Sequence, residues 1–195
     1  MEDILKLFLG KFEKVNEEEI KAIVAHTQLE KFKKGDIILE QGRICDKCYF
    51  VLKGCLRRYQ VVDGGEKTTG FFLEGNAVVL YASYLNTLPS DYYLSCVEDC
   101  TLLIGTRKQE LELYRKYPNL EQHLIFTLML QDYDKTEAYI ALLNNYKPED
   151  RYLMLLETQP ELFNRVPLHQ IASFLNVTPE SFSRIRKRIL MKKFS

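Results

Sequence analysis

Between Leu29 and Thr106 the chain is a series of short apolar runs, each closed by turn residues, and this punctuation restricts the fold more than any other feature. Lys34-Gly35-Asp36 precedes the run Ile37 to Glu40, and Gln41-Gly42 follows it. Tyr49 to Leu52 ends at Lys53-Gly54, and Cys55 to Val62 ends at Asp63-Gly64-Gly65. Lys67 to Leu73 ends at Glu74-Gly75-Asn76, and Tyr92 to Val97 and Cys100 to Gly105 complete the series. Runs of about four to eight residues at regular spacing, separated by glycine-bearing turns, predict antiparallel strands in a barrel or jelly roll. Asp63-Gly64 is the strongest single hairpin signal, because both residue types tolerate the positive φ that a two-residue turn demands. Periodicity alone does not separate a jelly roll from a sandwich.

Both flanks read as helix. The first 28 residues carry one clear start signal: Asn16 can cap, Glu19 can reach back to it, and Val15 can pack on Ile20. Ile20, Ile23 and Val24 then supply a buried face. From Arg107 the chain is helical again, broken at Pro118-Asn119, and a long helix is expected from about Leu120 to Asn145. Leu120, Leu124, Thr127, Gln131, Asp134, Ala138, Ala141 and Asn145 lie near a 3.5-residue repeat, an imperfect heptad that suits either a helix packed on the barrel or, the favoured reading, a dimer helix that also packs there. Tyr146-Lys147-Pro148 reads as a hinge, since the residue before proline is driven out of helical geometry. Pro148 would open the next helix, to Thr158, with Tyr152, Leu153, Leu155 and Leu156 supporting the C-terminal segment.

Val166 to Lys193 reads as two amphipathic helices joined by a turn. Leu168, Ile171, Ala172 and Leu175 give the first an apolar face. Thr178 sits where an N-cap belongs, and Pro179 takes the first helical position. Phe182, Ile185 and Ile189 form the inner face of the second helix. Ser181, Ser183, Arg184, Arg186, Lys187 and Arg188 remain on or near its outer faces. Residues 166–195 carry a net charge of +5, while the other 165 residues carry −5. A neutral chain with its positive charge gathered on one small module is suited to phosphate binding, and a helix packed by one side suits the DNA major groove.

Other chemistry finds little support. Hydrophobic residues at 46% and charged ones at 28% are typical of a globular protein. The N-terminus lacks the pattern of a signal peptide and no apolar run reaches spanning length, so a cytoplasmic protein with no membrane partner is expected. Five cysteines without such a signal imply free thiols in a reducing compartment. Cys45 and Cys48 form a C-x-x-C pair and are weak metal candidates, with Cys55, Cys96 and Cys100 as neighbours if the strands pair suitably. Buried structural thiols are the plainer reading. His26, His123 and His169 are scattered, and no nucleophile elbow or phosphate loop is present, so no enzymatic activity is expected.

With roll, long helix and basic helix pair in this order, the chain resembles the CRP/FNR family of transcriptional regulators over nearly its whole length. The motifs are KKGDIILEQG, YFVLKGCLRRY and IASFLNVTPESFSRIRKRI. The resemblance implies an α+β chain. An N-terminal antiparallel β-roll sensor would span 1–118, a dimerisation helix 119–146, and a helix-turn-helix DNA-binding domain 147–195. It further implies a homodimer on a pseudo-palindromic double-stranded operator, with RNA polymerase as a further partner. Glu180 and Arg184 occupy the positions where the family's Glu and Arg read base edges, and carboxylate to cytosine N4 and guanidinium to guanine fit that task chemically. With Ser181 they are expected to read bases. Thr178, Arg186, Lys187 and Arg188 are expected to hold mostly phosphate, with Ser183 beside them. Pro179 replaces an arginine common in the family, so the recognised sequence should differ.

The implied effector pocket involves Gly75, Val78, Val79, Leu80, Tyr81 and Ser90. The family's cyclic-AMP binders carry a Glu where Leu80 stands, and an Arg-Ser pair where Pro89-Ser90 stands. Only Ser90 matches. A buried cyclic phosphate without its arginine would be a desolvated, unpaired anion, so cyclic AMP is not expected, and no cofactor is required. Either another ligand uses a pocket lined by Tyr81, Tyr84 and Tyr92, or the roll is an empty scaffold. Two rival readings stay open: a metal- or thiol-based redox-sensing regulator, and a cyclic-nucleotide-binding signalling module with a protein partner.

Overall fold

The computed structural model describes residues 15–193; the helical reading of residues 1–14 lies outside them. Among the described residues eight strands, β1 (Gln28–Phe32), β2 (Ile37–Leu39), β3 (Lys47–Lys53), β4 (Leu56–Val62), β5 (Gly65–Phe72), β6 (Ala77–Val78), β7 (Tyr93–Cys96) and β8 (Cys100–Thr106), form two four-stranded antiparallel sheets. Their orders are β1-β8-β3-β6 and β2-β7-β4-β5. The sheets close on a core that includes Val51, Leu56, Leu94 and Leu102, all fully buried. The antiparallel strands are what the glycine punctuation predicts, and the α+β roll is the fold that the resemblance implies. Asp63 and Gly64 both have positive φ, 53° and 75°, which is the two-residue turn that matches strand twist.

Before the roll, α1 (Glu17–Ala25) starts at the expected box: Glu19 N–H donates to Asn16 Oδ1, and Asn16 N–H donates to Glu19, both at 2.9 Å. Within the roll a short α2 (Tyr81–Asn86) follows β6. After β8 come α3 (Arg107–Lys116) and the long α4 (Pro118–Asn145). Then follow α5 (Pro148–Thr158), α6 (Leu162–Arg165), α7 (Leu168–Phe174) and α8 (Pro179–Lys193). Pro118, Pro148 and Pro179 each sit at a helix start, where the missing N–H is harmless.

The start of the long helix packs on its own roll, as expected. Leu120 and Leu124 are buried with Phe50, Leu52 and Leu103 of their own roll, so they are not free for a seam. The exposed apolar line instead runs through Phe126 (69% exposed), Leu130, Tyr133 (62%) and Ile140 (52%). With Glu137 between the last two, these positions alternate steps of four and three residues, which is heptad spacing. The helix is apolar on both sides, so spacing alone admits more than one register. Leu168 also departs from expectation: it is exposed, while Ile171, Ala172 and Leu175 are buried.

Candidate nucleic-acid interface

The C-terminal module is built from its inner face outward. Ile171, Ala172 and Leu175 of α7 meet Phe182 and Ile185 of α8, together with Tyr152, Leu155 and Leu162. The Tyr152 ring stands edge-on to Phe182 and Phe163. Asn176, at φ 54°, turns the chain between the two helices. Thr178 then caps α8, accepting from the Ser181 N–H at 3.2 Å.

Fixing Phe182 and Ile185 inward turns Glu180, Arg184 and Lys187 outward, about one turn apart along one exposed strip, with Ser181 exposed beside them. Ser183 is exposed on the flank of that strip. The Glu180 carboxyl is held below its usual range, first by its own N–H at the helix start, then by Thr178 and the Arg184 charge. It is thus an anionic acceptor beside a cationic donor. Two of the expected phosphate residues are otherwise engaged. Arg188 pairs with Glu149 of α5. Arg186 is half-buried over the Phe182 ring, 5.9 Å from its centroid, with its Nε buried and unpartnered.

Non-local contacts set the module's position. Thr68 N–H donates to Ser173 Oγ at 3.0 Å, and Ser173 Oγ donates to the Glu66 carbonyl at 2.8 Å, bonding α7 to β5. Phe174 stacks on Tyr139 of α4 and tilts against Phe71 of β5. Arg165 forks onto Glu74 at 2.7 and 2.9 Å and also reaches Glu98, so the module is ionically clamped to the roll. Burial raises the Glu74 carboxyl, but the Arg165 guanidinium overrides it and the group lies below its usual range. Arg151 donates to the carbonyls of Leu143, Tyr146 and Leu175, fixing the hinge by three helix-end acceptors.

The sensor cassette contrasts with this. Val78, Val79 and Leu80 are core residues, and Tyr81 is half-buried. Gly75, at φ 78°, spends its N–H on the Val51 carbonyl. Ser90 is buried, its hydroxyl donating to the Tyr92 carbonyl and accepting the Tyr92 N–H. Of the expected pocket residues only Val79 and Tyr81 line the gap toward α4, which measures about 10 Å³. Beside it, Arg58 bonds Thr69 at 3.2 Å, lies over the Phe72 and Tyr92 rings, and pairs with Asp132 of α4 at 3.3 Å. Thr69 is an extra residue in the β4–β5 ladder, and the bulge brings its hydroxyl to Arg58. No motif announces this roll-to-helix bridge, because nothing local marks a pair 74 residues apart.

All five cysteines are free thiols. Cys45 is buried and donates to the Lys47 carbonyl, and Cys48 donates to Glu110 at 2.8 Å. Burial pushes both thiols upward, and the Glu110 charge adds to the shift at Cys48, so neither is a ready thiolate. Among the described residues no three His, Cys, Asp or Glu side chains converge as metal ligands. No described helix is long and apolar enough to cross a membrane.

Comparison with known proteins agrees with this geometry. Residues 29–117 match the cyclic nucleotide-binding domain family. The rice (Oryza sativa subsp. japonica) potassium channels KOR1 and KOR2 are 33% and 28% identical over 92 and 95 residues, about half of this chain. The chain spans only 11% and 13% of those proteins. Three solved structures resemble nearly the whole chain. The c-di-GMP-responsive global regulator CLP of Xanthomonas campestris is 16% identical with a TM-score of 0.73, covering 91% of this chain and 93% of its own. FixK2 of Bradyrhizobium japonicum is 18% identical with the same TM-score, covering 86% of each. The Thermus thermophilus catabolite activator protein is 21% identical at a TM-score of 0.56, covering 93% of this chain and 87% of its own. Residues 29–117 thus match a cyclic nucleotide-binding domain, within a fold that the chain shares nearly end to end with these solved structures.

Proposed function

We propose that this chain is a homodimeric, sequence-specific DNA-binding transcriptional regulator of the CRP/FNR type, acting in the cytoplasm without catalysis. In this reading residues 1–118 sense, 119–146 dimerise and 147–195 bind DNA. The observation that carries it is the exposed strip of α8, where Glu180, Ser181, Arg184 and Lys187 stand clear of a fully packed inner face. Glu180 and Arg184 then read base edges with Ser181, while Thr178, Ser183 and Lys187 contact phosphate. Arg186 and Arg188 contribute less, because their guanidinium groups are already committed to Phe182 and Glu149.

The exposed line of α4 supports pairing, since large exposed apolar side chains at heptad spacing suit an interface and two modules read half-sites about 34 Å apart. The filled cassette supports a roll that does not take cyclic AMP. RNA polymerase would be the downstream partner. Binding of random-sequence duplex measured across a salt series tests the reading. A log–log slope of about −0.9 per neutralised phosphate is expected, and affinity independent of salt contradicts it. The second reading, a ligand-sensing module reporting to a protein partner, is favoured by the confinement of the potassium-channel similarity to about half of the chain. It predicts the salt-independent outcome.

A further inference from the structure

We propose that Cys96 and Cys100 form an oxidisable dithiol, closed to a disulfide by hydroperoxides, at the point where the roll holds the C-terminal module. Its use in regulation rests on the DNA-binding reading; the thiol chemistry does not. Cys96 ends β7 and Cys100 opens β8, so the turn Val97-Glu98-Asp99 carries the chain from one sheet to the other. Both side chains belong to the core between the sheets and are almost fully buried, and a hydrogen bond links the two thiols. Cys100 Sγ also donates to the Glu98 carbonyl at 3.2 Å and to the Cys55 carbonyl at 3.5 Å. Gly54 makes room for it: a Cβ there would stand 2.6 Å from that sulfur. Cys45, Cys48 and Cys55 bond oxygen acceptors instead.

The pair divides its roles by acidity. The Cys96 S–H beside it holds the Cys100 thiol below its usual range in spite of burial, and the same contact, with burial, pushes Cys96 up. Cys100 is therefore the nucleophile and Cys96 the resolving thiol. The Cys100 thiolate attacks one oxygen of the hydroperoxide; an S–O bond forms, the O–O bond breaks, and the other oxygen leaves with the thiol's proton as an alcohol or as water. The Cys96 sulfur then attacks the sulfenic sulfur. An S–S bond forms, the S–O bond breaks, and hydroxide departs with the Cys96 proton as water. The two sulfurs lose two electrons and the hydroperoxide gains them.

The turn between the two sulfurs is also a contact with the C-terminal module. Val97 lies in one buried cluster with Leu155, Leu162 and Val166, and the Glu98 carboxylate accepts from Arg165 Nε at 2.9 Å. Val97 N–H donates to the Cys55 carbonyl, the same oxygen that faces Cys100 Sγ. Closing the disulfide takes the S–H donor away from the Glu98 and Cys55 carbonyls and holds the ends of the turn at the spacing the bond demands. Val97 and Glu98 then shift against the module they anchor. Asp99 beside Cys100 is exposed, so a small opening of the turn admits an oxidant the size of hydrogen peroxide.

The test adds hydrogen peroxide to the reduced full-length chain, then denatures it, alkylates it with iodoacetamide and reads tryptic peptides by mass spectrometry. Residues 68–107 lie between two cleavage sites and contain Cys96 and Cys100 with no other cysteine. That peptide should lose the mass of two hydrogens, escape alkylation and recover both thiols in dithiothreitol, while Cys45, Cys48 and Cys55 remain alkylated. Cys96→Ser should stop at the sulfenic acid, trapped by dimedone on Cys100, and Cys100→Ser should give neither product. If a serine variant does not fold by circular dichroism, the alanine variant takes its place. Full alkylation of 68–107 after peroxide, a disulfide elsewhere, or dimedone capture at another cysteine overturns the pair. The oxidised chain should bind duplex DNA about fivefold or more weakly than the reduced one, reversibly in dithiothreitol. Disulfide formation with unchanged DNA affinity overturns the coupling to the module. A chain that forms the disulfide yet ignores DNA in both states overturns the DNA-binding reading and not the thiol chemistry.

Discussion

The sensor cassette from Gly75 to Tyr92 and the strip of α8 from Glu180 to Lys187 are the two regions in which a regulator of this fold would meet its ligands, and they treat polar groups in opposite ways. In the cassette, Gly75 N–H, the Ser90 hydroxyl and the Ser83 hydroxyl all bond other parts of the same chain. On α8 the outward carboxylate and guanidinium stand in solvent above a sealed apolar face. A buried polar group must be satisfied where it sits, so the cassette's internal bonds stabilise the roll and leave little to offer a nucleotide. An exposed group on a rigid helix carries no such obligation. The difference separates a region whose polar groups are satisfied internally from one whose polar groups face solvent.

Four changes sharpen or break that contrast. Phe182→Ala removes the inner face under the strip, and the cavity should cost about 3–5 kcal/mol, read by denaturant unfolding, with DNA binding lost alongside. Arg184→Ala should leave unfolding unaltered yet lower specific affinity by about 1–3 kcal/mol and relax base choice at one position. Arg188→Ala in the same assay should lose less, because Glu149 already holds that guanidinium. Ser90→Ala should do the reverse of Arg184→Ala. It strips two internal hydrogen bonds and should reduce stability by about 1 kcal/mol with unchanged DNA affinity.

The smallest effect concerns pH. The Glu74 carboxyl titrates below its ordinary value of 4.5 because Arg165 favours its charged form. Its contribution is therefore complete above pH 4.5 and disappears as pH falls through the lower folded value. Glu74→Gln should flatten that part of the acid-unfolding curve and match the parent's slope elsewhere.

How much of this is legible from residues alone depends on the range of each interaction. The Asp63-Gly64 turn, the Asn16/Glu19 box and the Thr178-Pro179 start are local, and each stands where the sequence places it. Strand β1 carries little signal: Gln28–Phe32 is a half-exposed edge strand with Glu30 and Lys31 in its middle, and its burial does not alternate strictly. The heptad register on α4 is ambiguous because Leu120 and Leu124 fit it, yet the roll claims them. Arg58 with Asp132, Arg165 with Glu74, and Arg151 across three helix ends join distant positions, and no spacing rule points to such pairs. At α8 the strip itself is readable from periodicity. The capture of Arg186 and Arg188 is not, since it depends on Phe182 packing and on where α5 lies.

The most direct test is selection of bound sequences from random duplex DNA by the full-length chain. An enriched inverted repeat, with half-sites about one helical turn apart and one position that loses preference in Arg184→Ala, is what an α8 strip presented twice predicts. Recovery of an unenriched pool, or of a motif read identically by Arg184→Ala, would contradict it.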